Sequence, residues 1–519
     1  MDDRVAAAWA LLPGYLSQHV LLSLCALGLG LAISLPLGVA ASRSAAVRWP
    51  SLFVASLIQT IPSLALLAMF YPLLLALSAL SKAWFGHGFA ALGFAPSLIA
   101  LTLYSMLPIL RNAVTGIRGV DPAAVEAADG MGMTSRQRLL WVELPLAAPV
   151  IMAGVRTAAV WTIGAATLST PVGQTSLGNY IFSGLQTENW VYVIFGCVAS
   201  AVLALGADQL LGLIESGLSA RRPWRIWVGS IGLVAGIAAA LSPLMATSAV
   251  AAYKVGAKNF SEQYILAELM ASRLRATGAV VSMKEDLGSA TAYRAVASGE
   301  VDVYIDYSGT LWANVLGHKD NPGRAAVLAA LGRELKVRDG VTVLGAVGFE
   351  NAYALAMRAD RARALGIGSV ADLAARAPTL KLGSDLEFLS RPEWAAIRDA
   401  YGLSFARQTS YQPTFMYRAL ADGEADVISA FSSDGRIAAN KLVILTDPKG
   451  ALPPYDAVIL LSPRAAKDGR LRKALTPLIG AISVSAMQAA NYSVDRDVHK
   501  LGPAEAARDL AKAAGLGVP

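Results

Sequence analysis

Hydrophobic and polar positions divide this chain into two stretches with different rhythms. Through about residue 252, long apolar runs follow one another with few charges between them. From Lys254 onward, charged residues return every few positions, and short Val/Ile-rich runs alternate with Ala-rich ones. A helix needs roughly 20 apolar residues to cross the hydrocarbon core of a bilayer. Runs at 16–41, 51–79, 89–110, 146–168, 190–214 and 226–250 therefore predict six spanning helices. Pro36, Pro62, Pro72 and Pro108 predict kinks, which are tolerated where neighbouring helices satisfy the freed carbonyls. In the second stretch Val301–Ile305, Ala352–Met357, Leu380–Gly383, Val427–Ala430, Leu442–Leu445 and Ala457–Leu461 read as strands with helices between them. That alternation predicts an α/β layout with two lobes, joined by strands crossing near 355 and 445. A ligand in such a layout lies between the lobes, at strand carboxyl ends.

Composition sharpens this division. Only 16% of residues are charged while 55% are hydrophobic, against a charged share of about a quarter in ordinary soluble domains. Part of the chain is therefore expected in lipid, and disorder, collagen and coiled coil are excluded. Cys25 and Cys197 both lie in apolar runs, which leaves no disulfide framework and no metal site. The net charge of +7 does not indicate nucleic acid, because the basic residues sit in the connections between apolar runs.

Those connections set the orientation. Arg43 and Arg48 follow the first run, Arg111, Arg118, Arg136 and Arg138 follow the third, and Arg221, Arg222 and Arg225 precede the sixth. The alternate connections hold little beyond Lys82, His87 or the uncharged 170–186. Cytoplasmic loops carry the excess of Lys and Arg, so six spans leave both termini, and the soluble half, outside the cytoplasm. Arg221-Arg222-Pro223-Trp224-Arg225, an apolar run and Ala246-Thr247-Ser248-Ala249 also have the form of an internal signal peptide; the run's length favours a retained helix.

The connection Arg118–Pro145 carries a motif. Asp121 with Pro122 behind it predicts a helix N-terminus, Glu126-Ala127-Ala128 continue that helix, and Gly130 and Gly132 end it before a second segment from Ser135 to Pro145. Glu126-Ala127-Ala128, Gly132, Val142 and Leu144-Pro145 resemble the loop of ATP-binding-cassette importer permeases that docks onto the ATPase. The resemblance implies docking roles for Glu126, Ala127, Ala128 and Gly132. No Gly-x-x-x-x-Gly-Lys-Ser/Thr loop occurs, so ATP is expected to be used by a separate chain. The small-residue stretch Leu168–Gly178 resembles the permease gate, with an external loop as the alternative. Arg156, near the inner end of the fourth run, is expected to snorkel rather than to line a cavity.

In the soluble half aromatics gather at strand ends: Tyr304 to Thr310, Asn351-Ala352-Tyr353, Ile428 to Arg436, and Pro453 to Asp456. A ring face attracts a cation, and a trimethylammonium group has no hydrogen-bond donor, so a cage of rings suits it. These segments, from Lys258-Asn259-Phe260-Ser261-Glu262-Gln263 through Asp434-Gly435-Arg436-Ile437 to Asn491-Tyr492, resemble receptors of the osmoprotectant uptake family for glycine betaine, carnitine and choline, in the form fused to their permease. The resemblance implies cage walls from Tyr307, Tyr353 and Tyr455, with Gln263, Thr310 and Asn351 as polar neighbours. Phe431 stands where the family usually has Tyr. Asp456 beside Tyr455 is expected to favour a ligand of net positive charge. Arg391 either holds a substrate carboxylate or caps a helix at the surface; the first option favours a zwitterion such as a betaine, and ergothioneine also suits such a cage.

The expected fold is a multi-domain chain: an all-α transmembrane importer permease at 1–220 with its docking loop at 118–145, a sixth helix and linker at 221–252, and a two-lobed α/β periplasmic binding protein fold at 253–519. Lobe 1 is expected at 253–354 and 446–519, lobe 2 at 355–445. The expected function is the permease and binding subunit of an importer for a quaternary ammonium compound, working as a homodimer with an ATPase in the lipid of the bacterial inner membrane. No catalytic residue, metal or cofactor is expected: His19, His87, His318 and His499 are scattered, and no nucleophile has an evident base. A ligand-gated channel, a tethered transferase and an importer of an unrelated solute are the alternatives.

Overall fold

The computed structural model describes residues 3–85, 89, 93–186, 189–246, 252–318, 320–385, 388–411, 413–496 and 499–517. His87, Glu387 and the Thr247-Ser248-Ala249 end of the signal-like run lie outside the described residues. The chain forms two compact units, Met1–Ile181 with Val191–Ser248, and Phe182–Trp190 with Ala249–Pro519.

The first unit is helical. Among the described residues six helices are long and apolar enough to span a bilayer. They belong to α1 (Asp3–Arg43), α3 (Ser63–Phe85), α4 (Phe94–Arg118), α7 (Leu144–Ala166), α9 (Trp190–Ser219) and α10 (Pro223–Ala246). The expected second span, 51–79, is corrected: the chain breaks at Ile61-Pro62 into the 16-residue α2 (Ala45–Thr60) and α3. Pro62 carries no N–H and disfavours helical backbone at the residue before it, and Ile61 is extended, with ψ 128°. Pro36, Pro72 and Pro108 stay inside continuous helices. Between α4 and α7 lie α5 (Pro122–Gly130), α6 (Ser135–Arg138) and a π-helical turn, Leu139–Glu143. Asp121 caps α5 by accepting from the Ala123 amide at 2.9 Å, and Thr134 with Gln137 closes a capping box on α6.

The second unit holds two five-stranded sheets of the same plan. Strands β1 (Tyr253–Lys258), β2 (Val281–Leu287), β3 (Val303–Tyr307), β4 (Thr342–Glu350) and β10 (Asp456–Leu461) make the first, in the order β2-β1-β3-β10-β4. The second has the order β7-β6-β8-β5-β9, from β5 (Tyr353–Arg358), β6 (Lys381–Asp385), β7 (Arg407–Tyr411), β8 (Val427–Phe431) and β9 (Leu442–Ile444). In each sheet the first three strands are parallel, and the strand arriving from the other lobe inserts antiparallel beside them: β10 against β3, and β5 against β8. The chain crosses between lobes from Glu350 to Tyr353 and returns between Ile444 and Asp456. Both crossings therefore deliver residues to the carboxyl edges of the parallel strands.

Candidate functional site

Those edges enclose a cavity. Lys258 to Glu262 enter it from the end of β1 and the start of α11 (Ser261–Arg275), and Tyr307 and Thr310 from the end of β3. Asn351 and Tyr353 come from one crossing and Tyr455 from the other. The second lobe contributes Asp385 and Arg391 after β6, and Phe431, Ser433, Asp434 and Arg436 after β8. Asn491 and Asp495 reach in from the helix Val484–Asp495.

Five aromatic rings line the cavity: Phe260, Tyr307, Tyr353, Phe431 and Tyr455. Tyr353 and Phe431 are cross-strand partners in β5 and β8, which brings their ring centroids to 4.9 Å. Tyr455 meets Tyr353 edge-on at 5.9 Å, and Phe260 lies nearly parallel to Phe431 at 6.5 Å and to Tyr307 at 6.2 Å. Gly309 makes this possible: a Cβ there would meet the Tyr455 ring at 2.7 Å. The Tyr307 phenol is held well above its ordinary pKa by burial and by Glu262, the Tyr455 phenol by burial and by Glu393. Both hydroxyls are therefore neutral, and each donates to its carboxylate.

Arg391 stands at the aromatic wall. Its backbone occupies the N-cap position of the helix Pro392–Tyr401, while its side chain points inward and is 10% exposed. The guanidinium lies 5.2 Å above the Tyr353 ring, and it donates to Tyr353 Oη and Thr310 Oγ1, both at 3.3 Å. Its Nε is 3.5 Å from Glu393. The surface-cap option is corrected: the Arg391 side chain makes no capping hydrogen bond and lines the cavity instead.

Seven of the sequence-derived residues line the cavity: Tyr307, Thr310, Asn351, Tyr353, Arg391, Phe431 and Tyr455. Two do not. Gln263 sits behind the wall, donating to Tyr307 Oη at 3.0 Å. Asp456 is turned to the opposite side, where Arg324 binds both of its oxygens at 2.9 and 2.8 Å. The expectation that Asp456 selects ligand charge is corrected accordingly: β10 starts there, side chains alternate faces along a strand, and Tyr455 takes the inward face.

The residue that sequence reasoning missed is Glu262. It is buried in the wall, and its two oxygens accept from Tyr307 Oη (2.5 Å), Asn351 Nδ2 (3.0 Å), Ser433 Oγ (2.6 Å) and Asn491 Nδ2 (2.8 Å). Burial pushes its carboxyl up, and those four donors pull it back. Four donors satisfy the carboxylate form, which accepts only. In sequence Glu262 reads as an acidic first-turn residue favoured by the helix dipole, and that ordinary role hides the other. Also missed was the group on the far side, where Arg436 binds Asp434 at 2.7 Å and lies 3.9 Å from Asp495. Burial raises the Asp495 carboxyl to about 6, against the pull of Arg436.

In the helical unit, Glu126 and Ala127 are exposed on α5, Ala128 is buried beneath it, and Gly132 takes φ +75° in open space. The helix is thus anchored by one side and presents the other. The stretch after α7 is a short 3-10 turn, Thr167–Val172, followed by non-helical residues before α8 (Gly178–Gln186). It is enclosed by protein rather than forming an external loop: Ser169, Thr170, Gln174, Ser176 and Leu177 are all buried. His19 of α1 clamps it, with Nε2 3.0 Å from the Ile163 carbonyl and Nδ1 accepting from the Leu177 amide at 3.3 Å. Arg156 does not snorkel; it forks Asp208 at 2.6 and 2.7 Å and reaches Glu215 at 3.3 Å, both on α9.

Comparison with known proteins agrees with this division. The family described as the substrate binding domain of ABC-type glycine betaine transport system matches residues 251–513, and that of the binding-protein-dependent transport system inner membrane component matches 30–220. The ergothioneine transport permease/ergothioneine binding protein of Helicobacter pylori (strain G27) is 26% identical over 92% of this chain and 86% of its own length. The choline transport system permease protein of Bacillus subtilis (strain 168) is 42% identical over 39% of this chain and 86% of its own. A solved glycine betaine/carnitine/choline ABC transporter structure covers 51% of this chain and 99% of its own, at 26% identity and a TM-score of 0.45. The chain belongs to both families, as a membrane permease and a substrate-binding domain of an ABC importer joined in one polypeptide.

Proposed function

We propose that the cleft captures a compact zwitterion of the betaine class, with its quaternary ammonium group among the aromatic rings and its carboxylate on Arg391. The observation that carries this reading is the placement of Arg391 at the same cavity wall as Tyr307, Tyr353, Phe431 and Tyr455. The Arg391 hydrogen bonds to Thr310 and Tyr353 are 3.3 Å, long for N–H to O. An arriving carboxylate replaces them with shorter, charge-assisted bonds. Choline lacks a carboxylate and leaves that end unused. Glycine betaine, carnitine and ergothioneine all fit the description, and the glycine betaine family match and the relative named for ergothioneine support it.

The same reading assigns the rest of the chain. Two copies form the translocation path in the bacterial inner membrane, the binding domain lies outside the cytoplasm, and a separate ATPase docks on Glu126–Gly132. The chain itself performs no catalysis and holds no cofactor. Ligand closes the lobes, and the permease's preference for the closed receptor supplies the coupling free energy.

Calorimetry on the full chain in lipid nanodiscs tests the ligand class. Micromolar binding of glycine betaine, carnitine or ergothioneine, with choline weaker, is the expected result. Absence of binding for all four sinks the quaternary ammonium reading.

A further inference from the structure

Docking of an ATPase on α5 has to be delivered to the spanning helices, and four charged side chains connect the two. Arg138, at the end of α6, donates through Nη1 to both oxygens of Asp129 on α5, at 2.8 and 2.7 Å. Its Nε lies 3.1 Å from Glu143 Oε1. The other oxygen of Glu143 is paired with Arg43, the last residue of α1. Glu143 is 2% exposed, whereas the outer members Asp129 and Arg43 are 51% and 42% exposed. It closes the π-helical turn that joins α6 to α7, a backbone form that recurs at functional positions.

The outer pairs add little stability, because exposed ion pairs contribute little. The centre behaves differently. A buried carboxylate held by two cations is costly to separate from either of them, and the planar guanidinium of Arg138, which spans Asp129 and Glu143, fixes direction as well as distance. The four side chains therefore act as a short rigid link from the docking helix to α1, which packs along α4, α7 and α10.

We propose that Glu143 is a positioning residue for coupling: through Arg138 and Arg43 it makes the docking helix and the end of α1 one mechanical unit, so that displacement of α5 by the ATPase moves α1. The proposal rests on the docking reading of Glu126–Gly132.

Two measurements test it. The first is amide hydrogen exchange on the full chain in lipid nanodiscs, with no ATPase present. Arg43→Gln and Glu143→Gln are each expected to raise exchange across residues 122–130 by about fivefold or more, whereas Arg43→Lys, which keeps the charge, leaves it near wild type. Arg43 is far from α5 in sequence, and its substitution leaves in place the apolar cluster that Val39 of α1 shares with Val125 of α5, so its effect on α5 is expected through the link. Unchanged exchange over 122–130 in Arg43→Gln overturns the proposal, and this arm stands even if Glu143→Gln fails to fold.

The second measurement is uptake of labelled glycine betaine, carnitine and ergothioneine by the native host, with variants placed at the chromosomal locus. Arg43→Gln is expected to lower import by about tenfold, with membrane abundance and ATPase co-purification unchanged and with rescue by Arg43→Lys. Wild-type import in Arg43→Gln overturns the coupling role. Glu126→Arg is expected to abolish ATPase co-purification. If it does not, the docking reading fails by itself, and the exchange result still decides whether the link exists.

Discussion

The two units handle buried charge in opposite ways. In the soluble unit, charge gathers around one cavity, which Glu262, Asp385, Arg391, Asp434, Arg436 and Asp495 all line. In the helical unit charge avoids any centre and ties helices together, as Arg156 ties α7 to α9 and Glu143 ties α6 and α1. The first group lines a cavity, so its charges can serve a ligand. Arg156, Asp208 and Glu215 lie within helices that span, where each charge must be answered by another within the protein, and Glu143 is buried between Arg138 and Arg43. Similar ion pairs thus line a cavity in one unit and tie helices together in the other.

The largest expected effect tests the ties between helices. Arg156→Leu leaves Asp208 and Glu215 at membrane depth without their cation, at a cost of about 3 kcal/mol or more. Heating the full chain in nanodiscs should show the helical unit destabilised with ligand affinity unchanged; a fall in affinity would dissolve the contrast between the units. Glu262→Ala is the matching test in the cleft. It strips four donors of their acceptor, and ligand affinity read by calorimetry should weaken by about 2–3 kcal/mol.

The pH dependence separates the units further. Asp495 faces Arg436, Asp434, Ser261 and Lys500, and its carboxyl is raised to about 6 from an ordinary value of 3.8. The folded protein therefore holds more protons than the unfolded chain between those values, so stability falls as pH rises from about 4 to about 6, by up to about 2 kcal/mol. Asp495→Asn should flatten that slope in thermal melts of the soluble unit. A slope unchanged in the variant assigns it to another group. Tyr353→Ala, which removes one wall of the cage, should cost about 1–2 kcal/mol of ligand affinity. Asp456→Asn should cost under about 0.5 kcal/mol, because its half-exposed partner Arg324 lies outside the cavity.

What the sequence discloses follows the same physics. Lipid constrains every residue of a span, so the six apolar runs are legible, and only the break at Ile61-Pro62 was read as a kink. Four strands are not among those the sequence predicts: β2 (Val281–Leu287) and β7 (Arg407–Tyr411) are edge strands rich in polar residues with no apolar run, while Gly256 interrupts β1 (Tyr253–Lys258) and Gly345 and Gly348 interrupt β4 (Thr342–Glu350). The cage aromatics were legible through their places at strand ends. Their polar supports were not: Glu262 finds Ser433 171 residues away and Asn491 229 away, and no local pattern encodes such pairs. Arg156 was misread for the same reason, since its partners lie 52 and 59 residues on.

The proposed ligand class rests on one pairing: a quaternary ammonium among the aromatic rings and a carboxylate on Arg391, which stands at the same wall. Calorimetric titration of glycine betaine and of choline into the full chain and into Arg391→Ala tests it most directly. The wild type is expected to prefer glycine betaine, and Arg391→Ala to lose that preference while retaining choline binding. Equal loss of both ligands in the variant, or a wild type that prefers choline, would contradict it.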